Sequence, residues 1–78
     1  MSAREMFESL GFKRIDSDYL IEYVIEDNFY KKQIKFWLDD KMFYNNLIYD
    51  NEVQKGSCSV KINLFKAIQK QIEELGWN

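Results

Sequence analysis

Apolar residues recur at every third or fourth position near both ends of the chain and at every second position through its middle. A helix gathers residues three and four apart onto one face, whereas a strand sends alternate side chains to opposite faces. The change of period therefore predicts strands enclosed between two helices. A chain of 78 residues without proline is short for more than one domain, so we expect a single α+β domain over residues 1–78.

The first predicted helix has both of its boundaries marked. Ser2 and Glu5 have the spacing of a capping box, in which each side chain accepts a hydrogen bond from the other residue's backbone N–H. Gly11 followed by Phe12 is typical of a Schellman ending. For the second helix we expect Asn63 to be the N-cap. Its apolar stripe and its Gly-aromatic ending are formed by Leu64, Ile68, Ile72, Leu75 and Gly76-Trp77.

The alternation in the middle of the chain predicts three strands joined by tight turns. We expect the first strand over residues 19–26, with Tyr19 facing the core, followed by turns at residues 27–28 and 40–41. This register sets Trp37 opposite Tyr44. It also points Asn45 toward the core, where a buried amide needs a bulge or a position near the sheet edge.

The remaining segment predicts a loop and a fourth strand. Polar residues and Gly56 indicate a loop over residues 50–57, after which Cys58, Val60 and Ile62 alternate toward the last helix. The element order is then α-β-β-β-β-α. Because each helix has one apolar stripe and the sheet has one strongly apolar face, we expect an antiparallel meander with both helices packed on the same face.

The opposite sheet face is predicted to be open, and it carries the main functional hypothesis. Tryptophan and tyrosine are enriched at the centres of protein interfaces, so the chain is interpreted as a non-enzymatic protein-binding module. An equally simple interpretation is that the aromatic pair only stabilises the sheet. The candidate contact residues are Trp37, Tyr44, Leu20, Val24 and Ile48.

Two alternatives use the same face. Lys31, Lys35 and Lys61 interleave with aromatic residues, an arrangement that can bind nucleic acid weakly through phosphate contacts and base stacking. A net charge of −2 and the absence of a known RNA-binding motif make this use less favoured. The face could also close a homodimer that has no other ligand.

Composition argues against most enzyme classes. The chain has no histidine and a single cysteine, Cys58, which we expect to be a buried structural thiol in a reducing compartment. No phosphate-binding loop or nucleophile motif is present, and we expect neither a metal nor a cofactor. No signal peptide or membrane span is predicted. The acidic pairs interpreted as solvated charge are Asp16 with Asp18, Asp39 with Asp40, and Glu73 with Glu74.

The two ends of the chain carry a resemblance to a family. Residues 3–8, the Leu10-Gly11-Phe12 ending and residues 67–77 are together similar to small uncharacterised proteins of phages, prophages and mobile elements of Gram-positive bacteria. The resemblance implies an accessory protein in the cytoplasm of a bacterial host. Such proteins often bind a host protein, including components of antiviral defence, or another phage protein. The family has no established activity, so the resemblance assigns no functional residue.

Overall fold

One antiparallel sheet and two helices make up the fold, which we describe from a computed structural model over residues 1–49, 52–53 and 60–77. The elements are α1 (Ala3–Ser9), β1 (Lys13–Ser17), β2 (Leu20–Glu26), β3 (Tyr30–Trp37), β4 (Met42–Tyr49), β5 (Glu52–Val53) and α2 (Ile62–Leu75). The strands lie in sheet order β1-β2-β3-β4-β5, each antiparallel to its neighbour. The predicted α+β class, with a meander sheet between two terminal helices, is confirmed.

The predicted boundaries of α1 are correct. The Ser2 hydroxyl accepts from the Glu5 N–H at 3.1 Å, and the Glu5 carboxylate accepts from the Ser2 N–H at 2.9 Å. These bonds satisfy two backbone donors that a helix start otherwise leaves unpaired. At the other end Gly11 has a φ of 95°, and the Phe12 N–H donates to the Phe7 carbonyl at 3.1 Å. This is the predicted Schellman ending.

The second helix ends as predicted but begins two residues earlier. Gly76 is left-handed with a φ of 72°, and the Trp77 N–H donates to the Ile72 carbonyl at 3.1 Å. The N-cap is Lys61, whose side chain makes no capping hydrogen bond. The prediction of an Asn63 cap is therefore wrong, because Asn63 already lies inside the first helical turn.

The core lies between the helices and one face of the sheet. Its largest fully buried side chains are Phe7 from α1, Tyr23 from β2, and Ile34 and Phe36 from β3. The rings of Phe7 and Tyr23 stack with centroids 3.8 Å apart and an interplanar angle of 10°. Phe36 meets both rings edge-on. Geometries of this kind add about 0.5–1.5 kcal/mol per pair to the stabilisation from burial.

A polar chain crosses the edge of this core. The Tyr23 hydroxyl donates to the Gln71 side-chain oxygen of α2 at 2.6 Å and accepts from Arg14 at 3.3 Å. Arg14 in turn pairs with Asp16 at 2.7 Å. Burial raises the pKa of Tyr23, and the hydrogen bond to Asp16 raises the pKa of Arg14. This series of hydrogen-bonded side chains connects β1 and β2 to α2.

The observed strand register differs from the prediction by two residues at both turns. The Phe29 N–H donates to the Asp27 side chain at 2.8 Å, and the Asp27 N–H donates to the Tyr30 carbonyl at 2.9 Å. The first turn is therefore centred on residues 28–29 rather than 27–28. Moving the tip of a hairpin by one residue moves the register by two, so each strand keeps its predicted faces.

The second turn is displaced by one residue in the opposite direction, toward the N-terminus. It spans four residues, 38–41, and Lys41 within it has a φ of 54°. Trp37 consequently lies opposite Met42, and Tyr44 lies opposite Lys35. The predicted Trp37–Tyr44 cross-strand pair is therefore wrong. Asn45 does face the helix side, opposite Ile34 and without a bulge, and its side-chain oxygen is buried with no partner among the described residues.

One predicted strand is not observed among the described residues, and two strands that were not predicted are present. Val60 and Lys61 lie in no regular element, and Ile62 opens α2, so the described part of the predicted fourth strand is not a strand. Cys58 lies outside the described residues, as does most of the loop predicted over residues 50–57. Two strands are additional to the prediction. They are β1, which pairs with β2 across a turn at residues 18–19, and β5, whose two residues lie within the predicted loop.

Candidate protein-binding face

Each strand turns every second side chain away from the two helices. The described residues on this side, which we call the open face, are Lys13, Ile15, Ser17, Leu20, Glu22, Val24, Glu26, Lys31, Gln33, Lys35, Trp37, Met42, Tyr44, Asn46 and Ile48. The buried cluster that packs on α1 and α2 is drawn from the other parity of the strands. Neither described helix therefore covers the open face.

Trp37 is the largest side chain of the open face. It ends β3, with Leu20 opposite on β2 and Met42 opposite on β4. The ring is half-buried and stacks on Tyr19, with centroids 6.0 Å apart and an interplanar angle of 16°. The indole N–H is buried and has no acceptor among the described residues. One apolar surface thus spans the ends of three neighbouring strands, with the indole ring at its centre.

Tyr19 reaches this site against expectation. The prediction that Tyr19 faces the core is wrong, because this residue lies in the β1–β2 turn and its side chain is 53% exposed. A turn residue is not held by the pleat that alternates strand side chains. Its ring instead covers one side of Trp37.

A shallow depression extends from Trp37 along β4. It is lined by Lys35, Trp37, Asp40, Met42, Tyr44 and Asn46. Met42 is 43% exposed and Tyr44 is 44% exposed, so an apolar thioether and an aromatic ring stand beside the indole within reach of a partner. Lys35 and Asp40 place one positive and one negative group at the rim. This arrangement suits an apolar contact bordered by polar groups.

The five predicted contact residues share the open face but do not form one patch. Leu20, Trp37 and Tyr44 lie together at one end of the sheet. Val24 lies farther along, flanked by Gln33, and is buried. Ile48 lies opposite Lys31, near the other end. Of the five candidates, only these first three are therefore adjacent to one another.

The three predicted lysines are divided between the two sides of the molecule. Lys35 and Lys31 lie on the open face, directly opposite Glu22 and Glu26 of β2. Lys61 caps α2 and lines a separate groove on the helix side. A single phosphate-binding track through all three lysines is therefore not present. The carboxylates across the strand also offset the positive charge of the two that remain.

Sequence reasoning missed three apolar or aromatic side chains on or beside the open face. Met42 shares the parity of Tyr44 and directly follows the turn predicted at residues 40–41. Ile15 is 52% exposed and lies on β1 opposite Glu22. Tyr19 carried no sequence signal for this position, because only the observed turn brings it to Trp37.

Comparisons of the chain with protein-family models, with curated proteins and with solved structures found no match. Over residues 1–49, 52–53 and 60–77, no three side chains of histidine, cysteine, aspartate or glutamate are grouped so that they could hold a metal ion. Within the same residues, neither helix has the length and apolar character needed to cross a bilayer.

Proposed function

We propose that this chain is a non-enzymatic protein-binding module that recognises its partner through the Trp37 end of the open face. The supporting observation is the group formed by Trp37, Met42 and Tyr44, which lies on a sheet face that neither described helix covers. Tryptophan and tyrosine are common among the residues that dominate binding free energy. A partly exposed aromatic group bordered by charges is a typical interface centre.

The composition of this surface defines the partner by its chemistry. The depression is apolar along Trp37 and Met42 and carries Lys35 and Asp40 at its rim. A folded protein with a complementary apolar patch, rather than a highly charged ligand, fits such a surface. In the setting that the family resemblance implies, the partner is a protein of the bacterial host, including the components of antiviral defence, and binding would inhibit it.

Nucleic-acid binding is the second candidate. It is favoured by the position of Lys35. This lysine lies on β3 with Trp37, and Tyr44 lies opposite it on β4. Phosphate contacts strengthen as salt concentration falls. Titration of labelled single-stranded oligonucleotides at two salt concentrations therefore tests this use: no binding at low salt eliminates it.

The proposal is tested by affinity capture from lysate of a Gram-positive host, followed by measurement of the captured protein's affinity. Trp37→Ala and Tyr44→Ala should each weaken binding by about 2 kcal/mol or more, which is roughly 30-fold in Kd. Phe43→Ala is the matched control, because Phe43 is adjacent in β4, is 43% exposed and faces the helix side.

Both outcomes of this experiment are informative. Loss of binding in the Trp37 and Tyr44 variants, with affinity retained by the Phe43 variant, supports the open face as the binding surface. Retention in all three variants, or loss only in the Phe43 variant, contradicts it. Circular dichroism of each variant establishes that the fold is intact before affinities are compared.

A further inference from the structure

The outer edge of β1 offers unpaired backbone groups. The Leu38 N–H donates to the Tyr19 carbonyl at 3.0 Å. Because alternate residues of an antiparallel strand bond to the same neighbouring strand, the odd-numbered residues of β2 bond to β3. The even-numbered residues of β2 then bond to β1, and their partners there are Lys13, Ile15 and Ser17. Arg14 and Asp16 therefore direct their N–H and C=O groups away from the sheet.

Nothing in the described part of the chain occupies this edge. β1 is the outermost strand, and no described backbone or side-chain group bonds to the main chain of Arg14 or Asp16. Unpaired groups of this kind form a template on which another strand can add.

The charges of β1 are complementary to β1 itself. In an antiparallel pairing with a second copy centred on Ile15, Arg14 lies opposite Asp16 of that copy, and Asp16 lies opposite its Arg14. Both pairs use the outward-facing backbone groups, so the two residues of each pair exchange two N–H···O=C hydrogen bonds. Between these pairs, Ile15 of one copy lies opposite Ile15 of the other. Arg14 and Asp16 already pair at 2.7 Å within one copy, and the dimer brings a second opposite charge directly across the strand pair from each of them, which is favourable.

The neighbouring registers are unfavourable. A shift of two residues in one direction sets Arg14 against Arg14, and the opposite shift sets Asp16 against Asp16. Like charges directly opposite destabilise a strand pair. A shift by one residue opposes outward-facing backbone groups to inward-facing ones and cannot form the ladder. The charge order therefore selects one register.

We infer that the chain forms a twofold-symmetric homodimer by antiparallel pairing of β1 with β1 of a second copy, centred on Ile15. Ile15 lies on the open face and is 52% exposed, so the pairing buries it and joins the open faces of the two copies into one surface. The inference does not rest on the proposed function. Trp37 lies two strands away from this edge, and Trp37→Ala should leave the dimer intact.

Sedimentation velocity over a concentration series up to about 1 mM tests the inference. The full chain should pass from monomer to dimer. Arg14→Asp and Asp16→Arg each place two like-charged pairs in the same register and should weaken self-association roughly tenfold or more. Arg4→Asp is the matched control, because it makes the same change of charge at an exposed position on α1.

An equimolar mixture of the two variants provides the most selective result. At positions 14 and 16, the Asp16→Arg copy carries two arginines, whereas the Arg14→Asp copy carries two aspartates. A heterodimer therefore restores both opposite-charge pairs, and it should form over the same concentration range as the wild-type dimer. Asp16→Pro is a backbone probe, because it removes an outward-facing N–H without breaking a bond to β2, and it should also give a monomer. Circular dichroism checks each fold.

Three results would overturn the inference. They are a wild-type chain that is still monomeric at about 1 mM, single variants that associate as strongly as the wild type, and a mixture that forms no heterodimer although the wild type dimerises. Dimers that are lost with Trp37→Ala instead would assign the contact to the open face.

Discussion

Removal of one hydroxyl from the core provides a quantitative test of the described packing. In Tyr23→Phe the ring keeps its stack on Phe7, so the buried apolar area is almost unchanged. The variant loses the 2.6 Å hydrogen bond to Gln71. Gln71 is 3% exposed, so water cannot readily replace the lost donor.

The expected cost is that of a buried acceptor without a donor. Such a group destabilises a protein by about 1–3 kcal/mol. For a domain of this size, each kcal/mol corresponds to a fall of about 4–8 °C in Tm. Arg14 also loses the Tyr23 oxygen, but its side chain is 20% exposed and can bind water. The main loss therefore lies at Gln71.

Urea unfolding of four variants, Tyr23→Phe, Gln71→Met, their double variant and Tyr44→Phe, measures this effect. Tyr44→Phe, which removes an exposed hydroxyl, should change the free energy of unfolding by less than about 0.5 kcal/mol. The double variant Tyr23→Phe/Gln71→Met should be more stable than Tyr23→Phe alone, because both polar partners are then absent. A Tyr23→Phe variant as stable as Tyr44→Phe, or a double variant equal to the sum of its single changes, would refute the reasoning.

The same hydroxyl predicts a dependence on alkaline pH. Burial raises the pKa of Tyr23 above its ordinary value of 10.0. The folded state then holds this proton more tightly than the unfolded chain does, so the stabilisation is fully present below pH 10.0 and is lost as the pH rises through the folded pKa. Tyr23→Phe should remove this part of the decline, and an unchanged alkaline slope would contradict the assignment.

Two further predictions concern the ends of the helices. Gly11→Ala and Gly76→Ala each force alanine into a left-handed conformation, at about 1–2 kcal/mol, but only at Gly11 does the added carbon lie 3.1 Å from Ile25. Gly11→Ala should therefore have the lower urea midpoint, and equal midpoints would contradict the described contact. The backbone N–H and hydroxyl of Ser2 lower the pKa of Glu5 below 4.5, so its stabilisation is present above that pH and is lost as the pH falls through the folded value. Glu5→Gln should flatten the acid limb of the stability profile, and an unaltered limb would argue against the capping box.

The sheet could be assigned from sequence because its faces are determined by parity. Both turn predictions were displaced by one residue, yet Ile21, Tyr23, Ile34 and Phe36 still lie in the core. A two-residue change of register preserves the face of every side chain. It changes the cross-strand partners, however, and the sequence placed Tyr44 rather than Met42 opposite Trp37 for this reason.

The parts that could not be predicted lack a periodic signal. Of the residues in β1, only Ile15 is apolar, and it lies on the open face, so no alternation marks the strand. Val60 and Ile62 had the spacing of a strand but belong to a loop and to the first turn of α2. Their alternating apolar side chains therefore predicted a strand that is not present among the described residues. The same prediction placed Lys61 on the open face, whereas it lies on the helix side.

Photo-cross-linking from two adjacent positions of β4 tests most directly whether the open face binds the partner. A photoreactive phenylalanine analogue at position 44 stands on the open face, and the same analogue at position 43 stands on the helix side, where the native side chains are 44% and 43% exposed. We expect the captured partner to be cross-linked from position 44 and not from position 43. Cross-linking from position 43 alone, or equally from both, would contradict the account.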